Sequence, residues 1–390
     1  MTNREILISG AGLAGPAVAY WLHRHGFHPT VVERAPALRS GGYKVDVRGS
    51  AIEVLKRMGV YESARALDTG MRTVTYVRRD GRPLAVLDAN LLMGRRGDDI
   101  EIMRTDLTRI LYDATAADVE YVFGDAIASM TDTPDGVEVT FEKGAPRRFA
   151  LVVGADGLHS ATRRLALGET PLTHLGAYMS ICTVPNRLRI DREEYMYFEP
   201  GRLAFAYSTG PDAPAKVGLA FASPELSYDR RDVVAQKRLI RTAFAGLGWE
   251  VPQLLDAVDA ADDLYFDSIS QVELPRWSAG RVALIGDAAY CPSPAAGQGT
   301  SLALVGAYVL ADALATSAEP FAAYEAAMRP YVEKNLAFGR KMAKDMVPGG
   351  RLQIAVRNYG MRTLKFHPRK ERVIERVLRP LHEAANAITI

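Results

Sequence analysis

Apolar residues follow two spacings in the first 33 positions of the chain. Ile6 to Ser9 is a short, almost uninterrupted apolar run, and after a glycine-rich turn Val18, Trp21 and Leu22 recur at helical spacing. A second apolar run covers residues 29–33. The pattern predicts a strand, a helix and a second strand. Similar apolar runs at residues 151–154 and 282–285 predict further buried strands, so we expect an α/β fold.

A different pattern covers residues 172–278, where short runs rich in Tyr and Phe predict half-buried strands of a mainly antiparallel sheet. Residues 73–77 and 84–87 flank an Asp80-Gly81 turn and predict a hairpin of this second sheet. We assign the sheet to substrate binding. Alternate strand residues share a face, and core packing is the competing role for each aromatic side chain. The candidate pocket residues are Tyr195, Tyr197, Phe205 and Phe221.

These patterns divide the chain into three parts. We expect a discontinuous nucleotide-binding domain (residues 1–72, 96–171 and 279–330), a substrate-binding domain (73–95 and 172–278) and a C-terminal helical segment (331–390). Residues 369–379 form a basic amphipathic pattern that could touch an anionic membrane. Glu371 and Glu375 interrupt the positive charge and favour a packed helix that bridges the domains.

Composition removes several classes of function. The 390 residues carry 48 Lys and Arg against 46 Asp and Glu, and these charges are interspersed, so nucleic acid is not an expected partner. Cys182 and Cys291 lack the paired spacing of a zinc or redox site, and we expect free thiols. Glycine and proline break the N-terminal apolar stretch, which argues against a signal peptide. No uncharged apolar stretch approaches the roughly 18 residues that span a bilayer, so we expect a cytoplasmic protein without a membrane partner.

The first candidate site is the turn after the first strand. Gly10, Gly12 and Gly15 have the spacing of a dinucleotide fingerprint, and Glu33 ends the next strand, eighteen positions beyond Gly15. Such glycines allow a tight turn, the approach of a pyrophosphate and close helix packing. The acid would accept hydrogen bonds from ribose hydroxyls. The fingerprint alone does not distinguish NAD from FAD.

Two later strand ends make that distinction. Asp156 follows one apolar run and precedes Gly157, while Asp287 follows the other. Both side chains are expected at the carboxyl edge of the sheet, where open α/β folds bind ligands. Pro294 and Gly297-Gln298-Gly299 then lead into a helix whose N–H groups could face an electron-rich ring. Three separate sites on one sheet suit the several polar parts of FAD.

With these motifs the chain resembles the class A flavoprotein monooxygenases, the aromatic-hydroxylase superfamily, and most of all their tetracycline-inactivating branch. The resemblance runs from Gly10 to about Leu314. It implies a Rossmann-like FAD-binding domain of the glutathione-reductase type with an inserted, mainly antiparallel β substrate domain. Tyr290 and Ser301 stand where the family commonly has His and Asn. The cofactor-binding residues that the motifs and the resemblance imply are Gly10, Gly12, Leu13, Ala14, Gly15, Glu33, Arg34, Asp46, Arg48, Arg104, Asp156, Asp287, Pro294, Gly297, Gln298 and Gly299. Asp46 and Arg48 belong to a predicted loop, where a solvated salt bridge is the alternative to a cofactor contact.

The resemblance also implies the reaction. NADPH would reduce FAD, O₂ would give a flavin C4a-hydroperoxide, and one oxygen atom would pass to a small aromatic or polycyclic substrate. We assign no catalytic side chain and no metal site, because the cofactor carries the chemistry and no histidine pair has metal-ligand spacing. The expected state is a monomer or homodimer. A flavin protein that only sequesters a ligand, or an FAD-dependent reductase or saturase, remains the alternative.

Overall fold

The computed structural model describes residues 4–39, 41–364 and 366–390. The remaining positions of the predicted domains, residues 1–3, 40 and 365, lie outside the described residues. The strands are β1 (Glu5–Ser9), β2 (His28–Glu33), β3 (Lys44–Val47), β4 (Thr73–Val77), β5 (Pro83–Asp88), β6 (Ile100–Met103), β7 (Glu120–Phe123), β8 (Ile127–Thr133), β9 (Gly136–Phe141), β10 (Arg147–Phe149), β11 (Leu151–Gly154), β12 (Thr173–Val184), β13 (Glu193–Glu199), β14 (Arg202–Ser208), β15 (Ala215–Ala222), β16 (Tyr265–Gln271), β17 (Ser278–Ala279) and β18 (Val282–Leu284).

The helices are α1 (Ala14–Arg24), α2 (Ser50–Arg57), α3 (Tyr61–Ala66), α4 (Ala89–Met93), α5 (Arg104–Asp113), α6 (Ala161–Leu167), α7 (Val233–Phe244), α8 (Val251–Ala260), α9 (Asp287–Tyr290), α10 (Gly299–Thr316), α11 (Pro320–Met346), α12 (Arg351–Leu364) and α13 (Lys370–Ala385). A 3₁₀ turn covers Pro294–Ala296.

The central sheet has six strands in the order β17-β18-β11-β1-β2-β7. Strand β1 pairs in parallel with β2 and β11, and β11 pairs in parallel with β18. Ser9 lies opposite Gly154, and Gly154 lies opposite Leu284. The three strands therefore end at one level, and the turns that follow them lie side by side. The sequence prediction of one shared sheet edge is confirmed.

Both faces of this sheet are covered, which explains why its strands are almost wholly apolar. Ile6 and Ile8 point to the face on which α1 and α10 pack. Leu7 points to the opposite face, where the small sheet β10-β9-β8 covers it through Val137 and Phe149. Helix α10 is the one described helix with the length and hydropathy of a membrane span, but 67% of it is buried inside the molecule.

The second sheet has seven strands in the order β16-β12-β15-β14-β13-β4-β5. Its pairs are antiparallel except that β13 runs parallel to β4, and β4 with β5 forms the predicted hairpin. Helices α7 and α8 cover one face through residues such as Ile240, Phe244 and Val258. The other face looks toward Tyr43 and Met103 of the nucleotide-binding part. The two sheets thus enclose the region in which a cofactor could meet a substrate.

Strand β3 corrects a sequence expectation. The segment containing Asp46 and Arg48 was expected to be a loop, but residues 44–47 pair in antiparallel register with β6. The charged residues Lys44 and Asp46 do not resemble a buried strand in the sequence. They are tolerated there because other charged side chains neutralise them inside the protein, as described below.

The C-terminal part is helical, as expected. Helix α11 runs for 27 residues and continues through the boundary that was predicted at residue 330. Helix α13 packs on α11 and buries Leu381 and Ala384, and the His382 Nε2 atom lies 2.8 Å from the carbonyl oxygen of Gly94. It is a bridging helix, although Val377 remains 69% exposed.

Candidate cofactor site

The glycine-rich turn has two closed positions and one open one. Gly10 has φ +105°, and a Cβ there would lie 2.7 Å from the Ala155 carbonyl oxygen. A Cβ on Gly15 would lie 1.9 Å from the Gly10 carbonyl oxygen, so the turn and the helix touch at this point. At Gly12 the nearest atom is Arg104 Nη2, 3.7 Å away. Leu13 and Ala14 are buried at the start of α1, whose first N–H groups receive no side-chain cap. The turn is therefore closely packed at Gly10 and Gly15 but open at Gly12, where its backbone N–H groups could bind an anion.

Glu33 lies at the end of β2 and contacts the same turn. Its Oε2 accepts a hydrogen bond from Ala11 N at 2.8 Å, and its Oε1 accepts one from Ala35 N at 2.9 Å. A carboxylate has about four lone-pair sites, so both oxygens can still accept hydrogen bonds from ribose hydroxyls. The neighbouring Arg34 side chain is 61% exposed and lies 3.8 Å from Glu142. Its contact with FAD stays a prediction.

Arg104 lies at the open side of Gly12, and its charge acts on the Asp287 carboxyl. Arg104 is the first residue of α5, and in the described part of the chain its guanidinium has neither a hydrogen bond nor an ion pair. Burial raises the pKa of the Asp287 carboxyl, and the positive charge of Arg104 partly offsets this effect. An unpaired cation beside an open glycine turn is suited to a pyrophosphate, which would supply the missing negative charge.

The loop between α9 and α10 supplies the most specific sign of a ligand. The side chain of Gln298 is fully buried, yet neither its Oε1 nor its Nε2 has a hydrogen-bond partner. A Cβ on Gly297 would meet no atom within 4 Å, and a Cβ on Gly299 would lie 3.6 Å from Asp287 Oδ1. Pro294 begins the 3₁₀ turn after Ser293, which has φ +80°. A buried amide without partners is unusual in folded proteins, and a flat ring with alternating donors and acceptors would satisfy it.

Asp156 holds its own loop in place. Its carboxylate accepts hydrogen bonds from Thr162 N at 2.9 Å and Thr162 Oγ1 at 3.0 Å, and also from Ser160 Oγ. Arg163 then ties this loop to α9, since its Nη1 donates to the Ala288 carbonyl oxygen at 3.0 Å. The structure thus gives Asp156 a positioning role beside the Gly10 turn. Its direct contact with FAD stays a prediction.

Asp46 and Arg48 belong to a buried ion network. Arg48 lies 2.6 Å from Asp46, and Asp46 lies 2.9 Å from Arg95. The chain of contacts continues from Arg95 to Glu101, from Glu101 to Lys44 at 3.1 Å, and from Lys44 to Glu194 of β13 at 2.7 Å. Three cations and three anions therefore link β3 to the second sheet. This buried arrangement replaces the solvated salt bridge. The contact of Asp46 and Arg48 with FAD stays a prediction, and the Nε of Arg48 is buried without a hydrogen-bond partner.

The aromatic candidates lie on two faces of the second sheet. Tyr195, Tyr197 and Phe221 pack on the face that α7 and α8 cover, and Phe221 has ring contacts with Tyr178 and Phe244. This corrects their assignment to a substrate pocket, because the alternation of a strand defines two faces without showing which one is covered. Phe205 points to the other face, toward the nucleotide-binding part, and it stays a candidate.

Sequence reasoning missed two tyrosines and a thiol at this site. Burial raises the pKa values of Tyr43 and Tyr265, whose rings lie 6.4 Å apart, and the negative charge of Asp287 acts in the same direction on both. The pKa of the Cys291 thiol is raised by burial and by Asp287. The position of Tyr43 directly after the Gly41-Gly42 pair was the available signal.

The two departures from the family pattern have structural explanations. Tyr290 is buried under α10, where its hydroxyl lies 2.8 Å from that of Tyr324. A Cβ on Gly306 would lie 2.0 Å from the Tyr290 hydroxyl, so the missing side chain of Gly306 makes room for it. The Ser301 Oγ is 3.4 Å from Arg48 N. Neither side chain takes the place of a backbone group in the cofactor cradle.

The fold and this site together define an α/β dinucleotide-binding flavoprotein. A family profile described as FAD binding domain matches residues 3–202 and 262–345, which is more than half of the chain. The chain belongs to this FAD-binding family.

Comparison with known proteins defines the activity further. A flavin-dependent monooxygenase from an unknown prokaryotic organism is 42% identical over 342 residues, which cover 86% of this chain and 89% of that protein. An uncharacterized protein of Mycobacterium tuberculosis strain H37Rv is 44% identical over 355 residues, with coverages of 89% and 94%. The crystal structure of tetracycline destructase Tet(55) matches with a TM-score of 0.86 and 38% identity over 99% of this chain and 98% of that chain. The protein is an FAD-dependent monooxygenase, and the resemblance seen in the sequence is confirmed.

Proposed function

We propose that FAD lies across the three strand ends and that this chain oxygenates a flat, conjugated organic substrate at the expense of NADPH. Arg104, the open turn at Gly12 and the N-terminus of α1 would hold the pyrophosphate. Glu33 would bind the adenosine ribose, and the unpartnered amide of Gln298 would hydrogen-bond to the isoalloxazine ring. The single observation that carries this placement is the fully buried Gln298 side chain without partners. Bound FAD accepts electrons from a nicotinamide and activates O₂.

The second sheet would supply the substrate side of the cavity. Phe198 and Phe205 line the face that looks toward Tyr43, together with Met196 and Tyr76. Such a surface excludes water and favours a flat apolar substrate. Because two structural relatives are named tetracycline destructases, polycyclic compounds are the first substrates to test. The two unpaired cysteines support a reducing, cytoplasmic environment as part of this proposal.

Turnover is the decisive test. The purified protein should be yellow, and NADPH oxidation should be followed across a panel of phenols, polyketides and tetracyclines, with mass spectrometry to detect the gain of one oxygen atom. The alternative, a flavin protein that only binds its ligand, predicts tight binding without an oxygenated product. A panel in which no compound both accelerates NADPH oxidation and gains oxygen would reject the proposed substrate class.

Arg104→Ala tests the cofactor placement, with Arg148→Ala as the matched control. Both changes remove one arginine, but the Arg148 side chain is 52% exposed and belongs to β10, in the small sheet on the opposite face of the central sheet. We expect the Arg104 variant to bind FAD about ten- to a hundredfold more weakly, as for the loss of a charge-assisted contact. The control should bind FAD as the wild type does. Equal affinities in the two variants would place the pyrophosphate elsewhere.

A further inference from the structure

Helix α12 carries a half-buried cation, Arg357, that the described residues do not neutralise. The Nε and Nη2 atoms of Arg357 are buried without a hydrogen-bond partner, and its guanidinium carbon lies 3.3 Å from the centre of the Phe198 ring. Among the described residues it forms no ion pair within 4 Å. Burial lowers the pKa of this guanidinium, although an arginine stays charged at neutral pH. Unmet donors of this kind are expensive, which suggests that a ligand supplies the acceptor.

The position of Phe198 shows which cavity Arg357 faces. Phe198 stacks on Tyr76 with ring centres 5.9 Å apart. It also belongs to two apolar clusters, one containing Tyr43 and the other containing Ala295 of the 3₁₀ turn. Both of these residues border the proposed position of FAD. Arg357 therefore packs on a residue of the sheet face that looks toward the cofactor site.

A cleft beside this arginine has the size and charge for an anionic ligand. Its volume is about 470 Å³, within the range of about 300–1,000 Å³ that small-molecule sites occupy. Phe198, which Arg357 contacts, lines it together with Ile354 and Asn358 of α12, whereas Arg357 itself is not among the lining residues. Val77 and Tyr197, which pack with the helix-covered face, also border it. Its charged lining residues are Arg78, Arg79, Arg351 and Glu199. Three arginines against one carboxylate give this neighbouring cleft a positive charge.

We propose that Arg357 is a substrate-recognition residue that binds an ionised or enolised oxygen of a flat conjugated substrate lying against Phe198. This inference rests on the proposed function and names the chemical class that the site selects. The planar guanidinium can donate two parallel hydrogen bonds to neighbouring oxygens, while its face stays on the Phe198 ring. Neutral rings of the same size would bind to the same apolar surface but leave the cation unpaired.

The competing explanation is structural. Asp345 of α11 and Tyr76 are the groups whose charges act on Arg357, and a small movement could pair the arginine with Asp345. Arg357→Met removes the charge and keeps a long side chain on Phe198, Arg357→Lys keeps the charge without the fork, and Asp345→Asn removes the competing partner. If Arg357 serves only stability, Arg357→Met and Asp345→Asn should both lower the unfolding temperature. If Arg357 instead binds a ligand, its donors are unpaired in the ligand-free protein, and Arg357→Met should unfold at the same temperature as the wild type or at a higher one.

Ligand binding is measured on the FAD-loaded protein by calorimetry without NADPH, so that no turnover is needed. The probes are 1-hydroxy-2-naphthoate, a flat anion, and 1-methoxynaphthalene, a neutral ring of similar size. We expect the wild type and Asp345→Asn to prefer the anion by roughly ten- to a hundredfold. Arg357→Met should lose this preference, and Arg357→Lys should keep part of it.

The outcomes separate this inference from the proposed function. An unchanged preference in Arg357→Met, or no preference in the wild type, overturns the role of Arg357 even if the turnover panel succeeds. A lost preference in Arg357→Met with an unchanged unfolding temperature supports it. Failure of the turnover panel with this binding result intact would reject the tested compounds as substrates and leave anion recognition standing.

Discussion

An added methyl group should reduce the stability of the protein at Gly15 but reduce its affinity for FAD at Gly12. At Gly15 a Cβ would lie 1.9 Å from a backbone oxygen that cannot move independently of β1. Overpacking of this kind costs about 1–3 kcal/mol or more, and a clash with backbone belongs at the upper end. At Gly12 the nearest atom is the flexible end of Arg104, 3.7 Å away. Gly12→Ala should therefore change the free energy of unfolding by less than about 0.5 kcal/mol.

For FAD binding we expect the large effect at Gly12, because the Gly12→Ala protein still folds. The methyl group of Gly12→Ala would occupy the space through which the pyrophosphate reaches the backbone. We expect the dissociation constant to rise by about a hundredfold, which corresponds to about 2.7 kcal/mol. Urea unfolding of the flavin-free proteins, followed by tryptophan fluorescence, gives the stabilities, and quenching of flavin fluorescence gives the affinities. Gly12→Ala with wild-type affinity for FAD would refute the argument, because the turn would then have only a structural role.

Three further changes test the surroundings of the site. Burial raises the pKa of Asp287, so the ionised carboxylate destabilises the folded protein at high pH. Asp287→Asn should therefore increase the free energy of unfolding of the flavin-free protein at pH 8. Denaturant titrations should show that this increase becomes smaller as the pH falls into the range in which carboxyl groups are protonated. Glu194→Gln should cost about 3 kcal/mol of unfolding free energy, because Lys44 would keep a single buried partner; a loss below about 0.5 kcal/mol would show that the network is solvated. Tyr290→Phe should cost about 1 kcal/mol, since Tyr324 keeps its bond to a backbone carbonyl, and the visible spectrum of bound FAD should stay unchanged; a shifted spectrum would show that this hydroxyl reaches the flavin.

The sequence was sufficient for the parts of the fold in which local pattern and tertiary environment agree. The runs that became β1, β11 and β18 are apolar on both faces, and a strand of that kind has to be central in a covered sheet. The ligand turns follow directly from their ends. For this reason the positions of Gly10, Asp156 and Asp287 along one sheet edge could be predicted from a single sequence.

Other features depend on partners that are far away in the chain. Lys44 and Asp46 indicate a solvated loop until Glu194 is known to lie 2.7 Å from Lys44. Strand alternation separates Tyr197 from Phe198, but only the packing of α7 and α8 shows that the Tyr197 side is closed. Arg357 belongs to a helix whose pattern suggests exposure. Its role emerges only from a ring on another element.

The order of strands in the central sheet also has a consequence for how the protein is made. Strand β11 ends at Gly154, but its neighbour β18 begins only at Val282. At typical rates of synthesis the ribosome needs on the order of ten seconds to translate the intervening segment. During that interval an apolar strand edge has no permanent neighbour and is open to pairing with other nascent chains. Slower translation or a shortage of chaperones should therefore reduce the soluble yield of this protein without any change in its native stability.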